Sequence, residues 1–306
     1  MEKFKSYTTE AKEEKYKLLI LSHDDPFDPN ETGPMVRKKA SELGIEVYLA
    51  EFSGMYMEDK GKDQLVYSFP VDDDGKVELP GMKDDAKYDK PFRINPENTL
   101  VMARGIGSTV KTGNLSWRVA CLNLENQGYT LINSVICHDI CNDKWYNQII
   151  FQQNDIRTPN TVLVRHSEGA EDAAKRLGNK FPMILKTAVG SRGVGVIWIE
   201  SLKSLHSTIQ LLHREDEFVD VLLQEYIKTD YDVRVIIAAG KILGAIKRPV
   251  IGDDFRSNVS QGSEPESHEL TEREAQESLR AAASVEGQVV GVDFIPAKNR
   301  DKESPY

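Results

Sequence analysis

The stretch MILKTAVGSRGVGVIWIE, residues 183–200, decides how the rest of the chain reads. It begins as an apolar run, breaks into glycines at Gly190, Gly193 and Gly195, and resumes as the β-branched and aromatic VIWIE. Glycine lets backbone N–H groups approach phosphate oxygens without interference from a Cβ. In a dinucleotide fingerprint or a Walker loop the glycines lead into a helix whose N-terminus holds the phosphate. Here a strand follows, so the glycines join two strands like a flap, which counts against a Rossmann dehydrogenase and a P-loop NTPase. Taken alone, the loop reads equally well as a bare hairpin turn. Lys186 sits mid-strand in MILK, where an unpaired ammonium would be costly to bury, so an anionic partner is expected.

Downstream, VDVLLQEYI reads as an apolar strand ending in Gln224, Glu225 and Tyr226. VRVIIAAGKILGAIKR reads as two strands joined at Gly240, with Asp232 and Arg234 on one face by period two. GDDFRSNVSQGS is a loop presenting Arg256, Ser257 and Asn258. LTEREAQESLRAAASVE reads as a helix before VVGVDFIPA, a strand with Asp293 in its middle. An acid in an otherwise apolar strand is either paired or binds metal.

Upstream, DKWYNQIIFQQN predicts a helix with Asp143 and Lys144 at its start. YKLLILS, PMVRKKASELG and IEVYLAEF read as strand, helix and strand, and TLVMARG, GNLSWRVACLNLENQG and YTLINS continue the alternation. This predicts an α/β layer with parallel strands. His23, Asp24 and Asp25 stand at the carboxyl end of the first strand, as ligand-binding residues or as an acidic helix-capping turn. Residues 1–17 alternate Lys and Glu with little apolar periodicity and read as a solvated leader. Residues 64–98 read as a hairpin or surface insertion without chemistry.

The chain has 306 residues, room for two domains, and its 40% hydrophobic and 29% charged residues exclude general disorder. With 39 Lys and Arg against 49 Asp and Glu, the net charge of −10 has the wrong sign for a protein held on nucleic acid by counterion release. No apolar run reaches the length of a membrane helix or a signal-peptide core, so no membrane association and a cytoplasmic location are expected. Three cysteines, Cys121, Cys137 and Cys141, agree with a reducing compartment. Cys137 and Cys141 lie at i and i+4 around His138 in CHDIC. They read as helix packing, with a zinc site as the alternative short of ligands.

The ordered set NDK, MILKTAVGSRGVGV, LLQEYIK, YDVRV, GDDFRSN and GVDF resembles the ATP-grasp superfamily, and within it the RimK-like carboxylate-amine ligases that attach glutamate or a similar amino acid. The resemblance runs from about Leu131 to Ala297. It implies an α/β (α+β) fold: a leader (1–17), an N-terminal α/β pre-ATP-grasp domain (18–134), a central ATP-grasp lobe with the Gly-rich loop (135–220) and a C-terminal lobe (221–306). It further implies that Lys144 and Lys186 contact ATP phosphates under a flap containing Gly190, Ser191, Gly193 and Gly195. Gln224, Glu225, Tyr226 and Ile227 would hold adenine, Asp232 the ribose side, and Asp293 the Mg²⁺, with Mn²⁺ as the alternative ion. Arg256 and Asn258, with Ser257 between them, would neutralise the transferred phosphoryl group, as phosphoryl transfer requires. Arg104 and Arg234 would face the substrates, a carboxylate acceptor (a protein C-terminus or a small molecule) and an amino acid.

The family implies an acylphosphate intermediate, and a homo-oligomer. The family pattern continues with a strand carrying a Glu and an Asn that complete the Mg²⁺ site, whereas this chain stops at Tyr306 after KNRDKESPY. The expectation is a ligase cut short at its C-terminus. The alternative is a degenerate relative acting as a catalytically silent nucleotide-binding or interaction module. An α/β protein of other function with a fortuitous glycine hairpin is the third reading.

Overall fold

Parallel pairing governs the first of two units, Met1–Val135 and Ile136–Tyr306, into which the computed structural model divides. The structure describes residues 16–22, 32–51, 64–66, 92–103, 114–189, 195–215, 219–250 and 266–306. Arg104, Gly190, Ser191, Gly193, Arg256, Ser257 and Asn258 lie outside them, as do the leader up to residue 15 and the His23–Asp25 turn.

In the first unit, β1 (Lys17–Ser22) lies between β2 (Glu46–Glu51) and β5 (Thr99–Ala103), and β6 (Thr130–Ile132) completes a four-stranded sheet in the order β2-β1-β5-β6. All three pairings are parallel, as the alternating strand and helix pattern predicts. Helices α1 (Thr32–Glu42) and α2 (Asn114–Asn126) are the crossovers, and β3 (Gln64–Val66) and β4 (Phe92–Ile94) form a separate antiparallel pair. Leu19, Leu21, Val101, Leu124 and Leu131 make the core.

The second unit opens with α3 (Val135–Asn142) and α4 (Lys144–Gln153). Asp143 separates them because it caps α4, its carboxylate accepting the amides of Trp145 (2.8 Å) and Tyr146 (3.0 Å). A central antiparallel sheet follows, in the order β7 (Thr161–Val164), β10 (Val221–Glu225), β8 (Met183–Thr187) and β9 (Val196–Ile199). Strands β8 and β9 on either side of the Gly-rich stretch pair antiparallel, as the sequence context requires. Sequence reading begins the C-terminal lobe at residue 221, but β10 pairs with both β7 and β8 and so belongs to the central sheet. Its run VLLQE is buried enough to need a neighbour on each side, and the chain changes lobe only after it. Helices α5 (Ala170–Arg176) and α6 (Leu202–Glu215) cover one face, packing Ala174, Leu205 and Ile209 on Met183, Leu185 and Leu223. The intervening residues Lys186 and Gln224 point to the other face.

A third sheet runs β13 (Glu266–Ser267), β12 (Lys241–Pro249), β11 (Tyr231–Ala238) and β14 (Val289–Phe294). The β11–β12 hairpin turns at Ala239–Gly240, both with positive φ (48° and 71°). Helix α7 (Glu272–Ser284) starts with a capping box between Thr271 and Glu274 and buries Ala282 against Val233, Val235, Ile237 and Phe294. Arg300 then fastens the last segment to this helix, donating to both oxygens of the buried Glu274 (2.8 and 2.7 Å). Burial raises the Glu274 carboxyl, but Arg300 and the Thr271 amide outweigh it and hold it below the usual range. The backbone of Tyr306 pairs with Ile295 in both directions at 2.9 Å, and the Arg157 guanidinium stacks 3.6 Å from the Tyr306 ring.

Candidate nucleotide site

Within the second unit a cavity of about 320 Å³ opens between the central sheet and the third sheet. Its walls include Lys186 and Gln224 from the former, Asp232 and Asp293 from the latter, and Gln148 of α4 and Ser278 of α7. Its size falls in the range of small-molecule sites.

The register explains why these side chains converge. Lys186 stands opposite Leu222, and Gln224 opposite Ile184, so Lys186 and Gln224 are diagonal neighbours on one face. Lys186 Nζ donates to Gln224 Oε1 at 2.7 Å. Gln224 Nε2 donates to Thr161 Oγ1 at 2.8 Å, and that hydroxyl donates to the Pro159 carbonyl at 2.8 Å. The chain of donors ends on a backbone oxygen, so each member has one fixed orientation. Burial, and then the neighbouring Lys144 cation, lower the Lys186 pKa to about 8. The expected anionic partner is replaced, among the described residues, by a neutral amide.

Lys144 is not in the cavity wall, but it is held at the exit of β8. Its amide donates to the Ala188 carbonyl (2.9 Å), and its Nζ to the carbonyls of Thr187 (3.0 Å) and Ala188 (3.4 Å). Burial lowers its pKa, against the pull of Asp143. Gly195 closes the same corner from the flap side. Its φ is +80°, and a Cβ there would stand 2.5 Å from Thr187 Oγ1. Gly195→Ala is therefore expected to destabilise the chain by about 2 kcal/mol through backbone strain and displacement of Thr187. A melting temperature unchanged from the parent protein would contradict this account of the corner.

The opposite wall is a ladder of alternating charge. Asp232 faces Arg248 across β11 and β12, and Arg234 faces Asp293 across β11 and β14. Arg248, with a side chain only 3% exposed, binds both oxygens of Asp232 at 2.7 and 2.6 Å and lies 3.3 Å from Asp293. Arg234 takes both oxygens of Asp293 at 2.6 Å. Two acids and two arginines thus neutralise one another, whereas Lys186 stands in the cavity wall with only a neutral side-chain partner among the described residues. Sequence reading overlooked Arg248, because a basic residue near the end of GAIKRPV looks like a solvated strand end. It also overlooked Thr161 and Asn160, whose amide (2.8 Å) and side chain (3.0 Å) both donate to Glu225. Tyr226, next in line, meets Trp198 edge-on at 4.8 Å.

The donor set suits an anionic ligand better than a bare cation. Among the described residues no three His, Cys, Asp or Glu side chains converge as metal ligands. Asp293 already spends both oxygens on Arg234, so the described residues do not by themselves form a magnesium site. Cys137 and Cys141 are likewise in no such group among the described residues. Among them no helix is long and apolar enough to cross a membrane.

Known proteins are similar to this chain in sequence. A protein of Histophilus somni named probable alpha-L-glutamate ligase is 32% identical over 193 residues, 61% of this chain and 62% of that protein. One of the same name from Rhodopirellula baltica is 31% identical over 159 residues, 51% of this chain and 38% of its own length. The chain therefore spans under two thirds of the curated relatives it matches.

Solved structures agree in fold. A RimK domain ATP-grasp protein of Sphaerobacter thermophilus superposes with a TM-score of 0.60 at 12% identity, covering 93% of this chain and 88% of that one. D-alanine–D-alanine ligase of Bacillus anthracis gives 0.60 at 18% identity, covering 95% and 84%. The ATP-grasp ligase PsnB, complexed with a phosphomimetic variant of its minimal precursor, Mg and ADP, gives 0.61 at 15%, covering 95% and 88%. The RimK-like ATP-grasp domain matches residues 141–302, just over half of the chain, and those residues contain both sheets that wall the cavity. On that span and that fold, the chain belongs to the RimK-like ATP-grasp family.

Proposed function

We propose that the cavity binds ATP and that the protein uses it to join an amino acid to a carboxylate. The observation that carries this reading is Lys186, a buried ammonium whose partner among the described residues is the neutral Gln224, in a cavity whose acids are already matched to arginines. Such a site is incomplete without an anion, and a phosphate chain supplies one.

In the proposed reaction the acceptor carboxylate attacks the γ-phosphorus, an O–P bond forms, and the bond to the β-phosphate oxygen breaks to release ADP. The amine then attacks the acyl carbon, phosphate leaves, and the amine loses a proton. Lys186 and Lys144 hold phosphate charge at the ends of β8 and α4. Arg256 and Asn258 are the proposed groups at the transferred phosphoryl, Arg104 and Arg234 at the substrates. Gln224 to Ile227 form the proposed adenine-side stretch, and Asp232 stands near the ribose. A divalent cation, arriving on the phosphates, would screen their charge, and Asp293 is the carboxylate closest to offering it a protein ligand. Glutamate is the first amino acid to test, since that is the substrate in the relatives' names.

A second reading, a silent nucleotide-binding module, is favoured by the engagement of both Asp293 oxygens with Arg234. Calorimetric titration with ADP and MgCl₂, followed by phosphate-release assays with Mg·ATP, glutamate and carboxylate acceptors, separates the readings. Binding with amino-acid-dependent phosphate release supports the ligase, and binding without release supports the silent module. No binding of ADP at millimolar concentration removes both.

A further inference from the structure

The cavity wall holds a buried amide to which the proposed ligation gives no role, Gln148 of α4. Lys144, Gln148 and Phe151 recur at i, i+4 and i+7, so they share one face of that helix. Gln148 is only 7% exposed. Its Nε2 donates to Thr158 Oγ1 at 2.6 Å and lies 3.5 Å from the Pro159 carbonyl, which also receives the Thr161 hydroxyl at 2.8 Å. A backbone carbonyl can only accept, so turning the amide round would set oxygen against oxygen. That fixes the orientation and leaves Oε1 as the polar atom with nothing to do in the packing. No donor reaches Oε1 from any described residue. A buried acceptor in this condition is unfavourable until a ligand brings it a donor.

The surroundings define what kind of donor fits. The acids of the wall are already matched: Asp232 by Arg248, Asp293 by Arg234, and Glu277 by Arg280 at 2.7 Å. With those carboxylates engaged and Lys186 in the same wall, a full cation such as an ammonium would lie buried without a counter-charge. A neutral N–H carries no such penalty. Phe151, Ile156, Pro159, Val292 and Phe294 add apolar surface to the wall, which suits a ring bearing that N–H.

Register points to one such ring. Gln148 leans on Thr158 and Pro159, just ahead of β7, and the next residue, Asn160, donates twice to Glu225, which belongs to the stretch proposed for adenine. Asp232, proposed for the ribose side, stands on the third sheet instead. We infer that Gln148 Oε1 accepts a hydrogen bond from the exocyclic amine of the adenine ring and makes the site selective for a 6-aminopurine. A 6-oxopurine would bring an oxygen against that oxygen, which a buried acceptor rejects. Thr158 is the positioning residue, since its hydroxyl holds the amide with Oε1 outward. The assignment rests on the proposed nucleotide site and adds to it the residue that reads the base.

The test compares, by calorimetry on the full chain, ADP with purine riboside 5′-diphosphate, which lacks only the amine. The parent protein should prefer ADP about tenfold, the worth of one hydrogen bond. Gln148→Met keeps the length and bulk of the side chain without its carbonyl, and should bind the two diphosphates within about twofold of each other. Both ligands need the same folded cavity, so the ratio of their affinities does not respond to general destabilisation. Thr158→Val should shrink the preference to about threefold and Thr158→Ser should restore it, and this pair carries the comparison if Gln148→Met does not fold. Equal affinity of the parent for the two diphosphates, or a preference that persists in Gln148→Met, would overturn the assignment. If Gln148→Met instead lost a preference for ADP over 2′-deoxyADP, Gln148 would read the sugar and the assignment to the base would fall. A parent protein that binds neither diphosphate at millimolar concentration would remove the proposed function and this assignment together, whereas ADP binding without the preference would remove the assignment alone.

Discussion

Lys186→Met is expected to abolish nucleotide binding and at the same time to raise the melting temperature. The ammonium is held in a site that burial and Lys144 make unfavourable for charge, with a folded pKa of about 8 against 10.5 for the free side chain. A lysine whose pKa is lowered on folding binds fewer protons folded than unfolded between those values. Stability therefore rises as pH rises from about 8 to 10.5, and at pH 7 the charged group costs on the order of 3 kcal/mol. Methionine removes that cost but leaves Gln224 Oε1 without its donor, a loss of about 1 kcal/mol. The net gain of about 2 kcal/mol corresponds to an increase of roughly 5 °C.

The same substitution removes the buried cation that the proposed site offers to a phosphate, which should weaken ADP binding at least about 100-fold. In the parent protein, affinity should begin to fall above pH 8, where the unliganded lysine loses its proton. Calorimetry across pH 7–9.5 and thermal melts of both proteins read all three effects. ADP affinity within threefold of the parent in the variant would sink the site.

The second large effect concerns the opposite wall. Arg248→Met should destabilise the chain by about 3–5 kcal/mol, because it strands Asp232, a mostly buried carboxylate whose two oxygens both rest on Arg248. The pair itself is not the source of that stability, so replacing both partners should restore most of it. Arg248→Met with Asp232→Leu is expected to recover to within about 2 kcal/mol of the parent. Equilibrium denaturation of the two single variants and the double variant supplies the cycle. A single Arg248→Met variant as stable as the parent would show that water, and not Arg248, satisfies Asp232.

Much of this architecture is written in local pattern. Alternation of KLLILS, a helix and EVYLAE demands parallel strands, because each short apolar run must be covered on both faces and its connection must cross over. The glycines before VIWIE demand a flap between antiparallel strands, because no helix follows to receive a phosphate. Lys186 could be singled out for the same kind of reason, a charge inside an apolar strand. What surrounds that charge could not. Gln224 is 38 residues away and becomes its partner only because β8 and β10 are neighbours in the central sheet, and the same pairing moves β10 out of the lobe to which its sequence position assigned it.

Arg248 shows where local pattern stops. A regular hairpin about Ala239–Gly240 sets Ala238 opposite Lys241 and Ile237 opposite Ile242, and carried onward it would set Asp232 opposite Lys247. The structure has a bulge at this point. Ile236 pairs with Gly244, Leu243 stands out as the extra residue with 68% of its surface exposed, and Asp232 meets Arg248 instead. One residue of slip exchanges the faces of a strand, so the bulge decides whether a lysine or an arginine meets Asp232 behind the cavity wall. From the amino-acid sequence alone follow the elements, their parallel or antiparallel sense and the charge of Lys186 inside an apolar strand, since each depends on neighbours along the chain. Tertiary structure alone decided the charge ladder and the neutral partner of Lys186, since these depend on register and burial, which arise only when distant strands and helices pack.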